Sequence, residues 1–174
     1  GYSHGVYDRG QDSAGILVFE QCGSNVVTYN SATHGGDGFF LYAGHETTKR
    51  TGEGGCNDNL VEKNDFSHAV ANGIEATFSA GNRFLDNRLD DCNYGIWAGY
   101  SRESVFARNV IRNCTYAGIA IEHGSQNEIR GNLIEDSRRG VWLWWDEDRE
   151  FLDSVYGEKN RTDSADTVVA GNVI

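Results

Sequence analysis

Residues 93–145, NYGIWAGYSRESVFARNVIRNCTYAGIAIEHGSQNEIRGNLIEDSRRGVWLWW, carry the pattern that decides the fold. Within this stretch Gly95, Gly118 and Gly140 each precede a β-branched residue, and Asn109 and Asn132 each lie among apolar positions. The same glycine and asparagine therefore return at a fixed distance, which indicates a repeated structural unit.

The repeat extends over most of the chain. Glycines that precede an apolar strand stand 23, 35, 22, 23 and 22 residues apart, at Gly15, Gly38, Gly73, Gly95, Gly118 and Gly140. An asparagine series has intervals of 34, 23, 22, 23 and 40 residues, at Asn30, Asn64, Asn87, Asn109, Asn132 and Asn172. Five residues before each of these stands Asn25, Asn59, Asn82, Ser104, Asn127 or Thr167.

Apolar positions in each unit alternate over three to five residues, and no helical period fits them. A unit of about 22 residues with three short strands predicts one coil of a parallel β-solenoid. Leucine-rich repeats share this length, but their dense leucine pattern is absent here. Coils stacked about 4.8 Å apart would let the asparagine amides hydrogen-bond in a ladder. The glycines are expected to supply a permissive backbone at the entry to the next strand.

This pattern resembles the right-handed parallel β-helix repeat of the pectin-lyase-like superfamily, including its carbohydrate-binding and sugar-hydrolase repeats. The resemblance covers nearly the whole chain and implies an all-β fold, a right-handed parallel β-helix of about six coils forming one domain over residues 1–174. The superfamily includes lyases, hydrolases, epimerases, tailspikes and proteins without enzymatic activity. By the resemblance, the glycine-led strand is the first of each coil, which carries the active cleft in the family's enzymes.

Composition narrows the range of partners. The net charge of −11 and the pI near 4.8 argue against binding to nucleic acid or to anionic membrane surfaces. No apolar stretch is long enough to span a membrane. We expect an extracellular or periplasmic, bacterial-type protein whose signal is absent from this chain. The four cysteines show no zinc-site spacing and are predicted to be buried free thiols, at Cys22, Cys56, Cys92 and Cys114.

Side chains of a strand alternate between two faces. The first and third positions after each strand glycine are all apolar and are predicted to form the core. The second and fourth positions face outward and read Leu17, Phe19, Phe40, Tyr42, Glu75, Thr77, Trp97, Gly99, Ala120, Glu122, Trp142 and Trp144. Phe78, Tyr100, His123 and Trp145 follow directly. This row of aromatic and carboxylate side chains predicts a sugar-binding face, and cover by the insertions or by another domain is the alternative.

Two coils carry long insertions, at about residues 43–58 and 145–166. Both leave from the same turn, at the end of the aromatic strand, and they flank the coils that hold Glu75, Trp97 and Glu122. Long loops on a rigid scaffold commonly carry function. The sequence therefore predicts a groove with an aromatic floor between two loop walls.

Four residues are candidates for catalysis. Glu122 is proposed as general acid and Glu75 as base, two coils apart; hydrogen bonding to substrate is the alternative role for each. Asp37 in HGGDGFF is reminiscent of the Gly-Asp-Asp stretch of polygalacturonase-like hydrolases, although Gly38 replaces the second aspartate, and turn stabilisation is the alternative. His123 is a candidate for substrate orientation or proton transfer, with an exposed turn histidine as the alternative.

Candidate substrate contacts are Tyr42, Trp97, Tyr100, Arg139, Trp142 and Trp144. Arg138 and Arg139 could hold an acidic group of a sugar or pair with Glu135 and Asp136. No metal or other cofactor is expected. His34, His68, Asp91, Asn113 and Asp136 stack at one turn and predict a solvated polar ladder, with a bridging metal as the alternative. The acidic run that starts at Asp146 predicts a solvated loop, with calcium binding as the alternative.

These features predict a protein that acts on a glycan, first of all a glycoside hydrolase. A non-catalytic glycan-binding module, a lyase or epimerase, and a structural spacer are the alternatives. A lyase is less favoured, because the outward face offers cationic groups only at its edge. The chain starts and stops almost directly on a coil, so we expect a fragment of a longer protein, or end-to-end or lateral self-association through uncapped coils.

Overall fold

The computed structural model describes residues 13–174, apart from the side chain of His45. Within this range the strands are β1 (Ile16–Phe19), β2 (Val26–Thr28), β3 (Phe39–Tyr42), β4 (Leu60–Glu62), β5 (Asn72–Thr77), β6 (Arg83–Leu85), β7 (Arg88–Asp90), β8 (Tyr94–Trp97), β9 (Val105–Ala107), β10 (Val110–Arg112), β11 (Ala117–Glu122), β12 (Glu128–Arg130), β13 (Leu133–Glu135), β14 (Val141–Trp144) and β15 (Val168–Ala170). The helices are α1 (His45–Thr51), α2 (Arg149–Leu152) and α3 (Val155–Lys159). No helix in this range is long and apolar enough to cross a membrane.

The strands form three parallel sheets that run along the solenoid. The first sheet has the order β1-β3-β5-β8-β11-β14, the second β15-β12-β9-β6-β4-β2 and the third β13-β10-β7. Every ladder is parallel, and each strand pairs with its equivalent in the next coil, as in Ile96 with Ile119. The predicted fold class is therefore confirmed: an all-β parallel solenoid with one first-sheet strand in each of six coils.

The core lies between the sheets and is built from the inward positions predicted for the first sheet. Phe39, Leu41, Ile74, Ile96 and Ile119 are fully buried. They pack against apolar residues of the other two sheets, which include Val61, Phe66, Phe84, Leu89, Phe106, Ile111, Ile129 and Ile134. In the last coil Leu143 occupies the same inward position but remains 37% exposed, because no further described coil packs on it.

The asparagine ladder is present and uses both the backbone and the side chain. In each rung the carboxamide oxygen of one Asn accepts from the backbone N–H and from the side-chain N–H of the Asn in the preceding coil. Asn87 donates to Asn109 at 2.9 and 3.1 Å, and Asn109 donates to Asn132 at 2.9 and 3.0 Å. The second N–H of the Asn109 side-chain amide donates to the Phe84 carbonyl at 3.0 Å. These bonds satisfy buried turn groups that water cannot reach.

The strand glycines have a different role from the one predicted. Gly95 and Gly118 do not adopt the left-handed backbone that favours glycine. A Cβ atom at Gly118 would lie 2.4 Å from Ile134 Cγ2 and 2.9 Å from the Gly140 carbonyl oxygen. The reason for glycine is therefore close packing between coils. One set of residues with left-handed backbone lies instead directly before the ladder asparagines, at Tyr29, Lys63, Asp86, Arg108, Gly131 and Gly171.

The two insertions fold together and do not form separate walls. The N-terminus of α1 is held by Glu20, whose carboxylate accepts from the Thr47 amide at 3.0 Å and from the Thr47 hydroxyl at 2.6 Å. Asn160, just after α3, donates to the Gly52 carbonyl at 2.7 Å and accepts from Arg102 at 2.8 Å. The insertions therefore meet over the middle coils, because both follow the C-terminal ends of strands of the first sheet.

Three of the four cysteines are buried free thiols, as predicted. Cys56, Cys92 and Cys114 belong to the core, and their thiols face backbone carbonyls, such as Glu20 O at 3.1 Å from Cys56 Sγ. The prediction is wrong for Cys22, which is exposed. It precedes the second sheet in the first described coil, where no earlier described coil covers it.

Candidate functional site

Two tryptophan side chains lie on the last strand of the first sheet. Trp142 and Trp144 project from the same face of β14, and their rings stack with centroids 4.3 Å apart at 25°. Arg139 places its guanidinium carbon 4.3 Å from the centroid of the Trp142 ring. Trp142 therefore contacts both Trp144 and Arg139, and these contacts fix the position of its ring.

Trp97 lies on β8, which is separated from β14 by β11, and it occupies the same outward row as Trp142. Its register partner in β11 is Ala120, whose own partner in β14 is Trp142. The ring of Trp97 lies against Gly99, as shown by the distance of only 2.6 Å that a Cβ atom at Gly99 would have to Trp97 Cη2. Small residues at Gly99 and Ala120 thus make room for flat tryptophan rings. We call Trp97, Trp142, Trp144 and Arg139 the tryptophan platform.

Glu122, His123 and Asp146 form a cluster beside the platform. Glu122 is the register partner of Trp144, and Asp146 follows two residues after Trp144 in the next coil. One ligand atom from each of the three side chains lies within 4.8 Å of the other two, and within residues 13–174 this is the one such group of His, Cys, Asp or Glu. His123 Nε2 is 3.2 Å from Asp146 Oδ1, and its Nδ1 is 2.7 Å from the Thr162 carbonyl.

Burial differs sharply across this cluster. The side chain of His123 is fully buried, whereas that of Asp146 is 57% exposed. Burial raises the pKa of the Glu122 carboxyl, and the negative charge of Asp146 raises it further. The charge of His123 and a hydrogen bond with Trp144 act in the opposite direction. The cluster therefore places a shielded imidazole in direct contact with a solvent-facing carboxylate, with a partly buried carboxyl group beside them.

An aromatic column connects this cluster with the two insertions. Phe78 stacks on Tyr100 at 4.5 Å and 6°, and Tyr100 stacks on His123 at 5.5 Å and 14°. Phe151 of α2 packs on Tyr100 at 4.3 Å. The Tyr100 hydroxyl donates to Asp148 at 3.2 Å, and burial is the main cause of its raised pKa. The insertions therefore cover the residues that follow the strands, as the alternative interpretation of the aromatic row anticipated.

A cavity of 180 Å³ remains between the insertions and this column. It is lined by Thr48 and Lys49 of α1 and by Phe78, Tyr100, Asp148, Glu150, Phe151, Ser154 and Tyr156. Asp148 also caps α2 by accepting from the Phe151 amide at 3.1 Å. Part of the acidic run that the sequence left as a solvated loop or a calcium site thus has a structural role.

Two of the catalytic candidates lie elsewhere on the sheet. Asp37 is fully buried, and Glu75 is 4% exposed. Asn72 joins them: its side chain donates to Asp37 at 3.0 Å and to Glu75 at 2.6 Å. Asp37 also accepts from the backbone N–H of Asn72, which supports its predicted alternative as a turn-stabilising residue. Glu75 does not face the open surface that its outward register position led us to expect.

The structure divides the candidate substrate contacts into two groups. Trp97, Trp142, Trp144 and Arg139 form the platform, next to Glu122. Tyr42 lies in β3, four strands from β14, and stacks on Phe40 at 5.4 Å and on Phe19 at 5.6 Å. Burial raises its pKa, with a further contribution from Glu20. Tyr100 lines the cavity, so the six residues do not converge on one point.

The sequence interpretation missed Asp146 as a site residue. It was grouped with the acidic insertion, although it stands only two residues after Trp144, the register partner of Glu122. For Arg139 the alternative ion pair does not form: Glu135 is bound by Arg112 at 2.7 Å, and Arg139 lies on Trp142. His123 is not the exposed turn histidine of the alternative interpretation.

The predicted polar ladder at the turn after the third strand is confirmed. His34 and His68 stack at 4.7 Å, His68 lies 3.4 Å from Asp91, and Asn113 donates to Asp91 at 3.1 Å. His34, His68, Asp91, Asn113 and Asp136 all adopt the left-handed backbone conformation. These side chains are not gathered closely enough to form a metal-binding group.

Comparison with known families agrees with this architecture. The family model described as "Right handed beta helix region" matches residues 9–153. No curated protein and no solved structure matches the chain. The matched range spans all six strand glycines and both asparagine series up to Asn132, the residues that build the coils. The chain therefore belongs to the right-handed β-helix family.

Proposed function

We propose that this β-helix is a carbohydrate-active protein that binds a glycan along the outer face of the first sheet and acts on it as a glycoside hydrolase. The observation that carries the proposal is the tryptophan platform with Glu122 beside Trp144. Aromatic rings stack on the C–H faces of pyranose rings, and carboxylates hydrogen-bond to sugar hydroxyls. The β-helix fold is compatible with both binding and catalysis, so the site must carry the functional argument.

The dimensions of the sheet suit an extended ligand. Six parallel strands at about 4.8 Å spacing give a strip about 24 Å long. The platform occupies its last three strands, and Tyr42 and Phe19 lie near its other end. A chain of several sugar rings would therefore contact Trp144 and Trp97 in succession, with Trp142 held in place by Arg139.

Hydrolysis of a glycosidic bond commonly uses two carboxyl groups, which stand about 5–5.5 Å apart in retaining enzymes. Carboxylate oxygens of Glu122 and Asp146 lie within 4.8 Å of each other. Glu75 lies two coils from Glu122 and is bound by Asn72. The geometry therefore favours Glu122 with Asp146 over the pair of Glu122 and Glu75 that the sequence indicated.

A glycan-binding module without turnover is the second candidate. It is favoured by the burial of Asp37 and Glu75, which leaves fewer carboxyl groups at the surface of the sheet. The same platform would bind the glycan, and Glu122 would only hydrogen-bond to a hydroxyl.

The test is a screen of neutral and acidic oligosaccharides for binding and for release of reducing ends. We would compare the wild type with Trp144→Ala, Glu122→Gln and the control Tyr29→Ala, whose side chain is exposed in a turn far from the platform. Binding lost in Trp144→Ala alone, with turnover lost in Glu122→Gln while binding persists, supports the hydrolase. Binding without turnover in the wild type supports the binding module. Unchanged binding in Trp144→Ala, or no binding to any glycan, contradicts both.

A further inference from the structure

The cluster of Glu122, His123 and Asp146 brings one imidazole nitrogen and two carboxyl groups together. The His123 Nδ1 is 2.7 Å from the Thr162 carbonyl, an acceptor, so this nitrogen donates its N–H to the backbone. The other ring nitrogen, Nε2, faces Asp146 Oδ1 at 3.2 Å. A ligand atom of Glu122 lies within 4.8 Å of ligand atoms of both residues.

His123 is held as metal-binding histidines usually are, with one ring nitrogen facing the carboxylates and the other bound to a backbone carbonyl. Histidine that binds a metal generally donates its other ring N–H to a carbonyl or carboxylate, which fixes the ring and its tautomer. Thr162 provides this carbonyl, Tyr100 stacks on the imidazole ring, and Phe151 contacts it in an edge arrangement with centroids 4.9 Å apart. The position of the imidazole is therefore set independently of the two carboxylates.

We propose that Glu122, His123 and Asp146 bind a divalent transition-metal cation, with Zn²⁺ as the best match. Imidazole nitrogen favours zinc and its neighbours, whereas calcium and magnesium prefer sites made of oxygen alone. One nitrogen and two carboxylate oxygens leave at least one coordination position for water or for a sugar hydroxyl, as in open zinc sites.

The distances are close to those of a zinc site. Zinc bonds to nitrogen and oxygen are about 2.0–2.2 Å long, so two ligands of a tetrahedral ion stand about 3.3–3.6 Å apart. His123 Nε2 and Asp146 Oδ1 are 3.2 Å apart, and the three ligand atoms all lie within 4.8 Å of one another. Binding therefore requires the ligand atoms to approach by at most about 1.5 Å. Asp146 is 57% exposed on the turn after β14, so its side chain can move without disturbing the core.

Metal binding is measured without any glycan, so its failure would leave the proposed glycan binding intact. The metal-stripped protein is titrated calorimetrically with Zn²⁺, and then with Mn²⁺ and Ca²⁺. Asp146→Asn, at an exposed position, removes one ligand. Glu147→Gln, at the adjacent exposed residue outside the cluster, is the matched control for charge. His123→Gln removes the nitrogen ligand, and circular dichroism checks that it folds.

We expect one Zn²⁺ per chain, affinity at least tenfold weaker in Asp146→Asn and in folded His123→Gln, and no change in Glu147→Gln. A wild type that binds no Zn²⁺, Zn²⁺ binding that Asp146→Asn leaves unchanged, or a preference for Ca²⁺ would each overturn the proposal. One consequence rests on the proposed function: a bound ion withdraws Glu122 from hydrolysis, so Zn²⁺ is expected to inhibit any turnover that Glu122→Gln abolishes.

Discussion

Ser104 is the one serine in the asparagine series that precedes the second sheet, and its shorter side chain leaves the ladder incomplete. Its hydroxyl accepts from the Asn82 backbone N–H at 3.2 Å but leaves the side-chain nitrogen of Asn82, which is buried, without a partner. In the coil before it, Asn82 accepts both donors of Asn59, at 2.9 and 3.1 Å. The missing hydrogen bond of Asn82 thus results from the single serine at position 104.

Ser104→Asn is expected to complete this ladder and to stabilise the fold. A hydrogen bond contributes about 1 kcal/mol net, and a buried donor without a partner costs a similar amount or more. We expect the midpoint of urea unfolding to rise by an amount equivalent to about 1 kcal/mol at unchanged slope. Ser104→Ala is the control and should lower the midpoint, because it removes the acceptor of the Asn82 N–H. A lower midpoint for Ser104→Asn would show that this turn has no room for an amide.

The cysteines should separate by reactivity. Burial raises the pKa of Cys56 and of Cys114 to about 11 and that of Cys92 to about 12. Because the thiolate is the nucleophile, about one thiol in a thousand is reactive at pH 8 when the pKa is 11. We expect iodoacetamide to modify the exposed Cys22 in the native protein and the other three only after unfolding, as seen by mass spectrometry of peptides. Modification of Cys92 at the rate of Cys22 would contradict the buried assignment.

At the scale of elements, the strands were predictable and the insertions were not. Alternation of apolar residues after each glycine placed Ile96 and Ile119 in the core, because a one-residue slip would expose every inward side chain. The helices of the insertions have no such repeat. Their positions depend on single contacts, such as Glu20 with Thr47 and Asn160 with Gly52, that no periodicity reveals. Burial of Glu75 was missed for a similar reason, since it depends on the side chain of Asn72.

Asn160 is the main polar link between the insertions, and Asn160→Ala tests it. The substitution removes bonds to Gly52, Tyr156 and Arg102, each worth about 1 kcal/mol. We expect faster amide hydrogen exchange in α1 and α3, with little change in the strands of the second sheet. Asn113→Ala is the matched control, because Asn113 is exposed and bonds only to Asp91 across one turn. Equal protection of α1 in both variants would show that the other contacts between the insertions, such as the one from Lys159 to the Thr51 carbonyl, are sufficient to join them.

At the scale of the molecule, the link has a further effect on how the solenoid unfolds. In a simple solenoid each coil contacts only its neighbours, and stability is close to a sum of local terms. The hydrogen bond from Asn160 to Gly52 joins residues 108 positions apart. It ties the insertion that follows β3 to the insertion that follows β14, so the coils between them are less free to open separately.

The functional face was predictable in outline from this same regularity. Strand register alone placed Trp142, Trp144 and Glu122 on one surface. It did not show that Arg139 and Trp144 both pack on Trp142, or that Asp146 returns to Glu122 from the next coil. These features depend on side-chain conformation and on the path of the second insertion, which vary freely between coils of identical backbone.

The placement of the tryptophans also determines which part of this protein its intrinsic fluorescence reports on. Trp97, Trp142, Trp144 and Trp145 are its four indoles, and all lie in the second half of the chain, on β8, on β14 or just after it. Their near-ultraviolet emission therefore senses the platform and the end of the solenoid beside it, while the coils of β1, β3 and β5 contribute only phenylalanine and tyrosine. Tryptophan fluorescence is thus an intrinsic probe of the platform, suited to testing the proposed glycan binding, and it is nearly insensitive to fraying at the opposite end.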